Sequence, residues 1–300
     1  MALHQLRPAP EPAMDPETPN ILSWPDLGLT LIIEFITQEE EAALIAGFDA
    51  NLVPCFQPNP KKRISQHHGH HFDYTTFGTT SKITPVPDYI ASWLPRMPIY
   101  KDKGGAPDQF TVQYYPPGSG IPPHVDTHSM FGEALYSLSF GSGVCMAFKK
   151  AGKEEARRIR MPKRSLGVVA KNDGEEAKQS PNSKDENKKD KQNRPDHNII
   201  TSAEEKEEEE KPFEIMLPAR SLLVMTGPSR YGYTHGIKPR KTDIVDGKVV
   251  LREGRYSVTM RSVRRTEDIG CDCAYPGVCD ARIREEQEEA RKRAELDENM

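Results

Sequence analysis

Apolar positions change rhythm along this chain. From Leu27 to Ile36 they are nearly continuous and β-branched, which predicts a strand. Thr37 and Glu40 then have the spacing of a capping box, and Ala42, Leu44, Ile45 and Phe48 recur at helical intervals. A helix is predicted there, and a second short one over Pro85–Leu94. Residues 51–80 are polar, with Lys61, Lys62 and Arg63 followed by His67, His68, His70 and His71. They read as a loop suited to phosphates, with Phe72 and Tyr74 available to stack on a base, or as an incidental metal-binding stretch. From Gln109 onward the apolar runs are short and broken by Gly and Pro. Strands are predicted at Phe110–Tyr115, Ala134–Phe140, Val144–Phe148, Phe213–Leu217, Ser221–Thr226 and Tyr256–Val263. The expected fold class is mainly β, a barrel or jelly roll with flanking N-terminal helices.

Three stretches lack such a pattern. Residues 1–26 carry Pro8, Pro10, Pro12, Pro16, Pro19 and Pro25 and are expected to be a disordered arm. Residues 150–211 are Lys-, Glu-, Asn- and Ser-rich and are expected to be a disordered insertion in one domain spanning 27–279. Residues 280–300 read as a charged tail or helix. The formal charge is −4, but the acidic excess lies at the two ends, so the expected domain is mildly basic and a nucleic-acid partner stays open. Five cysteines, three of them clustered, do not make a secreted disulfide scaffold. No export signal or membrane-length apolar stretch is visible, which predicts cytosol or nucleus and no membrane.

Candidate chemistry lies among the strands. His124 and Asp126 are two apart, so on extended chain they point the same way. With a distant His235, in Tyr231-Gly232-Tyr233-Thr234-His235-Gly236, they would offer iron two imidazoles and a carboxylate, with positions left open. Alone, an H-x-D pair is more readily a polar surface turn. Arg255 and Arg261 are six apart, an even number, so a strand puts them on one face with Ser257 and Thr259. If that face points inward the two arginines require an anion such as a dicarboxylate; a surface strand whose polar face meets water fits the pair equally. Cys271, Cys273 and Cys279 suggest zinc, but leave one of four ligands missing.

The ordered set His124-x-Asp126, His235 and Arg255-x5-Arg261 resembles the AlkB family of iron(II)- and 2-oxoglutarate-dependent dioxygenases. Gln113-Tyr114-Tyr115-Pro116 and the run from Ile121 to Ser129, then Leu217 to Gly227 and Ser229 to Ile237, are most similar to the tRNA wobble-uridine hydroxylase branch, AlkB homologue eight. The resemblance covers roughly 28–279 without the insertion. It implies a double-stranded β-helix and oxidative decarboxylation of 2-oxoglutarate coupled to hydroxylation. Catalytic His124, Asp126 and His235 would hold Fe(II). Tyr115, Arg255, Ser257 and Gln113 would hold 2-oxoglutarate, with Arg261 near its metal-binding end. Gln113 stands where the family has Asn. The branch also implies a structural Zn(II) held by His128, Cys271, Cys273 and Cys279. The substrate implied is a 5-methoxycarbonylmethyluridine in tRNA. The methyltransferase domain of the animal homologue does not fit in this chain, so a separate tRNA methyltransferase would act in trans. Two alternatives are a demethylase of methylated nucleic-acid bases, and a non-catalytic zinc-stabilised module binding RNA or protein.

Overall fold

A computed structural model describes residues 8–51, 63–73, 78–98, 105–152, 210–264 and 271–298 of the chain. Strands β1 (Ala13–Met14), β2 (Ile21–Trp24) and β3 (Leu29–Ile32) precede helix α1 (Gln38–Asn51). Strands β4 (Ile64–Asp73) and β5 (Gly78–Thr84), helix α2 (Asp88–Ala91) and β6 (Gln109–Tyr115) follow. Next come β7 (Ile121–His124), β8 (Phe131–Phe140) and β9 (Val144–Lys150). Beyond the segment outside the described residues lie β10 (Phe213–Leu217), β11 (Ser221–Met225), α3 (Gly227–Tyr231) and β12 (Tyr233–Ile237). The chain ends with β13 (Thr242–Val245), β14 (Lys248–Leu251), β15 (Arg255–Val263) and α4 (Asp280–Glu298).

All strand pairs are antiparallel. The larger sheet runs β1-β2-β3-β11-β8-β15-β6-β4-β5, the smaller β10-β9-β12-β7, and β13-β14 form a separate hairpin. Leu29, Leu31, Leu135, Leu223 and Met225 of the larger sheet meet Val144, Met146, Phe148, Phe213 and Leu217 of the smaller in one buried cluster. Period-2 alternation sends Tyr136, Leu138, Phe140, Val224, Val258 and Met260 to the other side, where Leu44, Phe48, Ile90 and Trp93 of the helical layer cover them. Burying each such side chain contributes roughly 1.5–3 kcal/mol. This is the expected double-stranded β-helix with N-terminal helices against one face.

The capping box forms as predicted: Thr37 N–H donates to Glu40 at 2.8 Å and Glu40 N–H to the Thr37 hydroxyl at 3.2 Å. The buried face of α1 differs in one place. Ala42 is exposed, while Glu41 is buried and accepts from Arg220 at 2.9 Å and from Gly141 N–H at 2.8 Å. The strand expected over 27–36 stops at Ile32, because Glu34 takes a left-handed φ of 52° and is gripped by both ends of the Arg220 guanidinium at 2.7 Å.

Three expectations from composition need correction. Residues 8–26 are not a disordered arm: β1 and β2 continue the larger sheet, and Trp24 is buried and donates to Pro10 O at 2.7 Å. A single anchored aromatic outweighs the proline-rich composition. The polar stretch before the core is a hairpin, β4–β5, rather than a loop, since β4 finds a ladder along β6 from Ile64↔Tyr114 to Gly69↔Gln109. Phe72 and Tyr74 fall outside the described side chains. Residues 280–298 form a helix whose first residue is buried in the domain, so the boundary expected at 279 cuts through packed structure. Of the expected insertion at 150–211, residues 153–209 lie outside the described residues.

Candidate metal centre and cosubstrate cavity

The two sheets do not meet in apolar contact everywhere. Where β6, β15 and β8 adjoin, the inward face is polar: Tyr115 pairs with Arg255, Gln113 with Ser257, Thr111 with Thr259 and Gln109 with Arg261. Ser139 and Ser137 on β8 lie beside Ser257 and Thr259. This stripe floors a cavity of about 310 Å³. Opposite it the smaller sheet brings in His124, Asp126 and His235, with Ile121, Met146 and Ile237 as apolar wall.

His124 ends β7 and pairs across the ladder with His235 in the middle of β12. The two rings are 4.5 Å apart. Gly236 permits this approach, since a Cβ there would meet Pro123 backbone at 2.9 Å. Asp126 sits just past β7, its Oδ2 3.8 Å from His235 Nε2. The donor atoms of the three lie within 4.8 Å of one another. His124 Nδ1 faces Pro122 O at 2.9 Å, which sets that nitrogen as the N–H and makes Nε2 the one that can serve as a ligand. Burial, with His124 beside it, pushes His235 down to about 3, so it is a neutral imidazole at pH 7. Burial opposes ionisation of Asp126, but the Arg261 guanidinium overcomes it and holds the carboxyl well below the usual range. Two imidazoles and one carboxylate are a donor set that fits iron(II).

The two arginines differ. Arg261 bonds Asp126 and Gln109. Arg255 is 3% exposed, and among the described residues no carboxylate pairs with it. Its Nη2 donates to Ser139 at 2.8 Å, its guanidinium lies 5.1 Å from the Tyr115 ring, and its Nε has no partner. A buried unpaired guanidinium inside a cavity is costly unless an anion joins it. Tyr115 donates to Gln113 Oε1 at 2.7 Å, so the longer amide at this position orients the tyrosine hydroxyl. On the open side, Arg63, just before β4, and Ser65 and His67 of β4 face the same cavity. The other histidines diverge: His68 faces Pro85 O at 3.1 Å and His71 the Thr84 hydroxyl at 2.6 Å. No metal-ligand cluster forms from them among the described residues.

A second donor cluster lies two residues past Asp126. His128 Nδ1 is 3.4 Å from Cys273 Sγ, and the donor atoms of His128, Cys271, Cys273 and Cys279 all fall within 4.8 Å. Burial lowers His128 to about 4, leaving it neutral. Three thiols and an imidazole are a tetrahedral zinc set.

Every expected site residue is thus brought to one of two places. Sequence reasoning missed Ser139, Gln109, Arg230 and Asp280. Ser139 carries a signal, a small polar residue at an inward position of an apolar strand; the other three act through partners distant in sequence.

The profile of the 2OG-Fe(II) oxygenase superfamily matches residues 28–261. The tRNA (carboxymethyluridine(34)-5-O)-methyltransferase alkbh8 of Xenopus tropicalis is 29% identical over 278 residues, covering 85% of this chain and 34% of its own. The Mus musculus protein of the same name is 31% identical, covering 84% and 32%. The Alkylated DNA repair protein ALKBH8 homolog of Arabidopsis thaliana is 30% identical, covering 85% and 62%. The chain spans about a third of the length of these animal relatives. With the matched profile reaching over both sheets and the cavity between them, the chain belongs to the 2OG-Fe(II) oxygenase superfamily, oxidoreductases that use iron(II) and 2-oxoglutarate.

Proposed function

We propose that this protein hydroxylates a modified wobble uridine of tRNA, a 5-methoxycarbonylmethyluridine, using iron(II) and 2-oxoglutarate. The observation that carries the cosubstrate reading is Arg255, a buried cation without a carboxylate partner among the described residues, in the same cavity as three converging metal donors. In this reading His124, Asp126 and His235 hold iron. Arg255 takes the far carboxylate of 2-oxoglutarate through charge-assisted bonds, with Ser257 and the Tyr115 hydroxyl beside it and Gln113 fixing that hydroxyl. The bound iron lets dioxygen put one oxygen atom into succinate, with loss of carbon dioxide, and the other into a substrate C–H bond. The protein's own part is positional. Pro122 O fixes the His124 tautomer, Arg261 fixes Asp126, and Ile121, Met146 and Ile237 limit water.

The substrate reading rests on similarity to proteins whose names refer to carboxymethyluridine 34 of tRNA. It also rests on the open side of the cavity, where Arg63, Ser65 and His67 are suited to a polar, anionic polymer. His128, Cys271, Cys273 and Cys279 hold a structural zinc that ties the C-terminal segment to the metal-bearing loop.

The test is anaerobic iron(II) loading followed by oxygen-dependent succinate formation, with and without tRNA bearing the modified uridine, in wild type and His235→Ala. tRNA-stimulated succinate, lost in the variant, with one added oxygen (about 16 Da) on the wobble nucleoside by mass spectrometry, is the expected result. Succinate stimulated only by oligonucleotides with methylated bases, with loss of the methyl group, would replace hydroxylation by demethylation.

A further inference from the structure

The loop from Val125 to Met130, between β7 and β8, carries Asp126 yet has no strand beside it. Residues 125–127 are half-buried and 128–130 buried, so their backbone groups need partners from other parts of the chain. Two charged side chains do this. Asp280, the first residue of α4, accepts through Oδ1 from the N–H of His128 at 2.8 Å and of Ser129 at 3.1 Å. Its Oδ2 accepts from the Ser129 hydroxyl and, at 3.1 Å, from Arg284, which also reaches the Ser129 oxygen at 2.9 Å. From α3, Arg230 donates to the carbonyls of Asp126 at 2.9 Å, Thr127 at 2.7 Å and Gly132 at 3.4 Å. Arg230 is 1% and Asp280 5% exposed. Neither touches a donor atom of His124, Asp126 or His235.

Resting on the metal reading above, we infer that Asp280 is a positioning residue of the iron site, setting the Asp126 carboxylate by fixing its loop from the amide side while Arg230 fixes it from the carbonyl side. Arg230 spends its charge on backbone carbonyls, and Asp280 commits one carboxylate oxygen to two backbone N–H groups and the other to Ser129 and Arg284; such charge-assisted bonds are short and directional. Asparagine cannot replace Asp280. With its oxygen on the two backbone N–H groups, its amide would point an N–H at the N–H of Arg284. The iron site therefore depends on a helix that begins 154 positions after Asp126, and on the residue next to Cys279.

The test uses the full chain loaded with zinc. Cobalt(II) is titrated anaerobically into wild type, His235→Ala, Asp280→Asn, Arg284→Gln and the solvent-exposed control Arg293→Gln. Visible absorption reports binding, thiolate charge-transfer bands report entry into the cysteine cluster, and zinc content and thermal midpoint are measured alongside. The expected result is cobalt affinity about 10–100-fold weaker in Asp280→Asn. Arg284→Gln should show a smaller loss, and Arg293→Gln wild-type affinity, with zinc retained in all. Wild-type affinity in Asp280→Asn overturns the inference and leaves the metal reading standing. So does loss of zinc together with cobalt, because the cysteine cluster would then be the cause. Wild-type cobalt binding that ignores His235→Ala overturns the metal reading and this inference with it. If Asp280→Asn does not fold, Arg284→Gln decides: undiminished affinity there overturns the inference.

Discussion

Arg261 donates through one nitrogen to both oxygens of Asp126, at 3.0 and 3.3 Å, while its other terminal nitrogen reaches Gln109 at 3.1 Å. The carboxylate that converges with His124 and His235 is thereby held by a strand of the opposite sheet. Lysine offers one point charge and no fork. Arg261→Lys is expected to lower metal affinity at least about tenfold. Equilibrium titration with cobalt(II) or manganese(II) checks this; unchanged affinity would show that Arg261 serves only the cosubstrate.

Arg255 should have opposite effects on stability and on function. Replacing it with Met removes a buried guanidinium that lacks a carboxylate partner among the described residues, so the cosubstrate-free protein should melt higher than wild type. The same change removes charged hydrogen bonds of about 1.5–3 kcal/mol to 2-oxoglutarate. The KM for 2-oxoglutarate should rise roughly ten- to a hundredfold, with kcat less affected. A lower melting temperature together with an unchanged KM would count against Arg255 as the carboxylate partner.

Gly236 is the point where β12 touches β7. A Cβ there would meet Pro123 Cα and N at 2.9 Å and Ile121 O at 3.0 Å, all backbone atoms that cannot swing aside. Gly236→Val should force the strands apart and separate His235 from His124. Metal binding and succinate formation should both fall by more than tenfold, in keeping with the usual effect of displaced ligands. Retained metal affinity would mean the ladder has slack.

A third donor group, Cys145, Glu214 and Asp243, is structural. Asp243 is bonded by Arg252 at 2.6 and 2.7 Å and by Arg240 at 2.8 Å, and Glu214 by Arg240 at 2.6 Å and Lys238 at 3.0 Å. Burial opposes ionisation of Asp243, but these arginines win and its pKa is lowered. A depressed carboxylate contributes stability above its unfolded value, about 3.9, and loses it as pH falls through the folded value. Asp243→Asn should therefore cost about 3–5 kcal/mol near neutrality, with the gap to wild type closing below about pH 4. Thermal unfolding of both proteins across that range measures it; a gap independent of pH would locate the cost in packing.

The sequence made some of this legible and hid the rest for physical reasons. Arg255, Ser257, Thr259 and Arg261 share a face because strand geometry has period 2, which needs no tertiary knowledge. The predicted strands of the core match for the same reason, Phe213–Leu217 to the residue. The β4 strand was hidden because its inward residues are Ser and His, facing a polar cavity rather than a core. The β12 strand was hidden because His235 and Gly236 interrupt its apolar run. Trp24 anchoring on Pro10, and Asp280 on the loop at Ser129, are long-range choices that local propensity does not encode.

Strands β9 and β10 pair from Phe148↔Phe213 to Leu217↔Val144, and five rungs bring together chain ends separated by more than sixty positions. The closure of such a span depends on its length only logarithmically, each doubling adding about 0.6 kcal/mol. The five rungs hold β9 beside β10, and β9 in turn keeps His235 in register beside Phe148, so a cargo joined between these two strands is expected to leave the donor geometry in place.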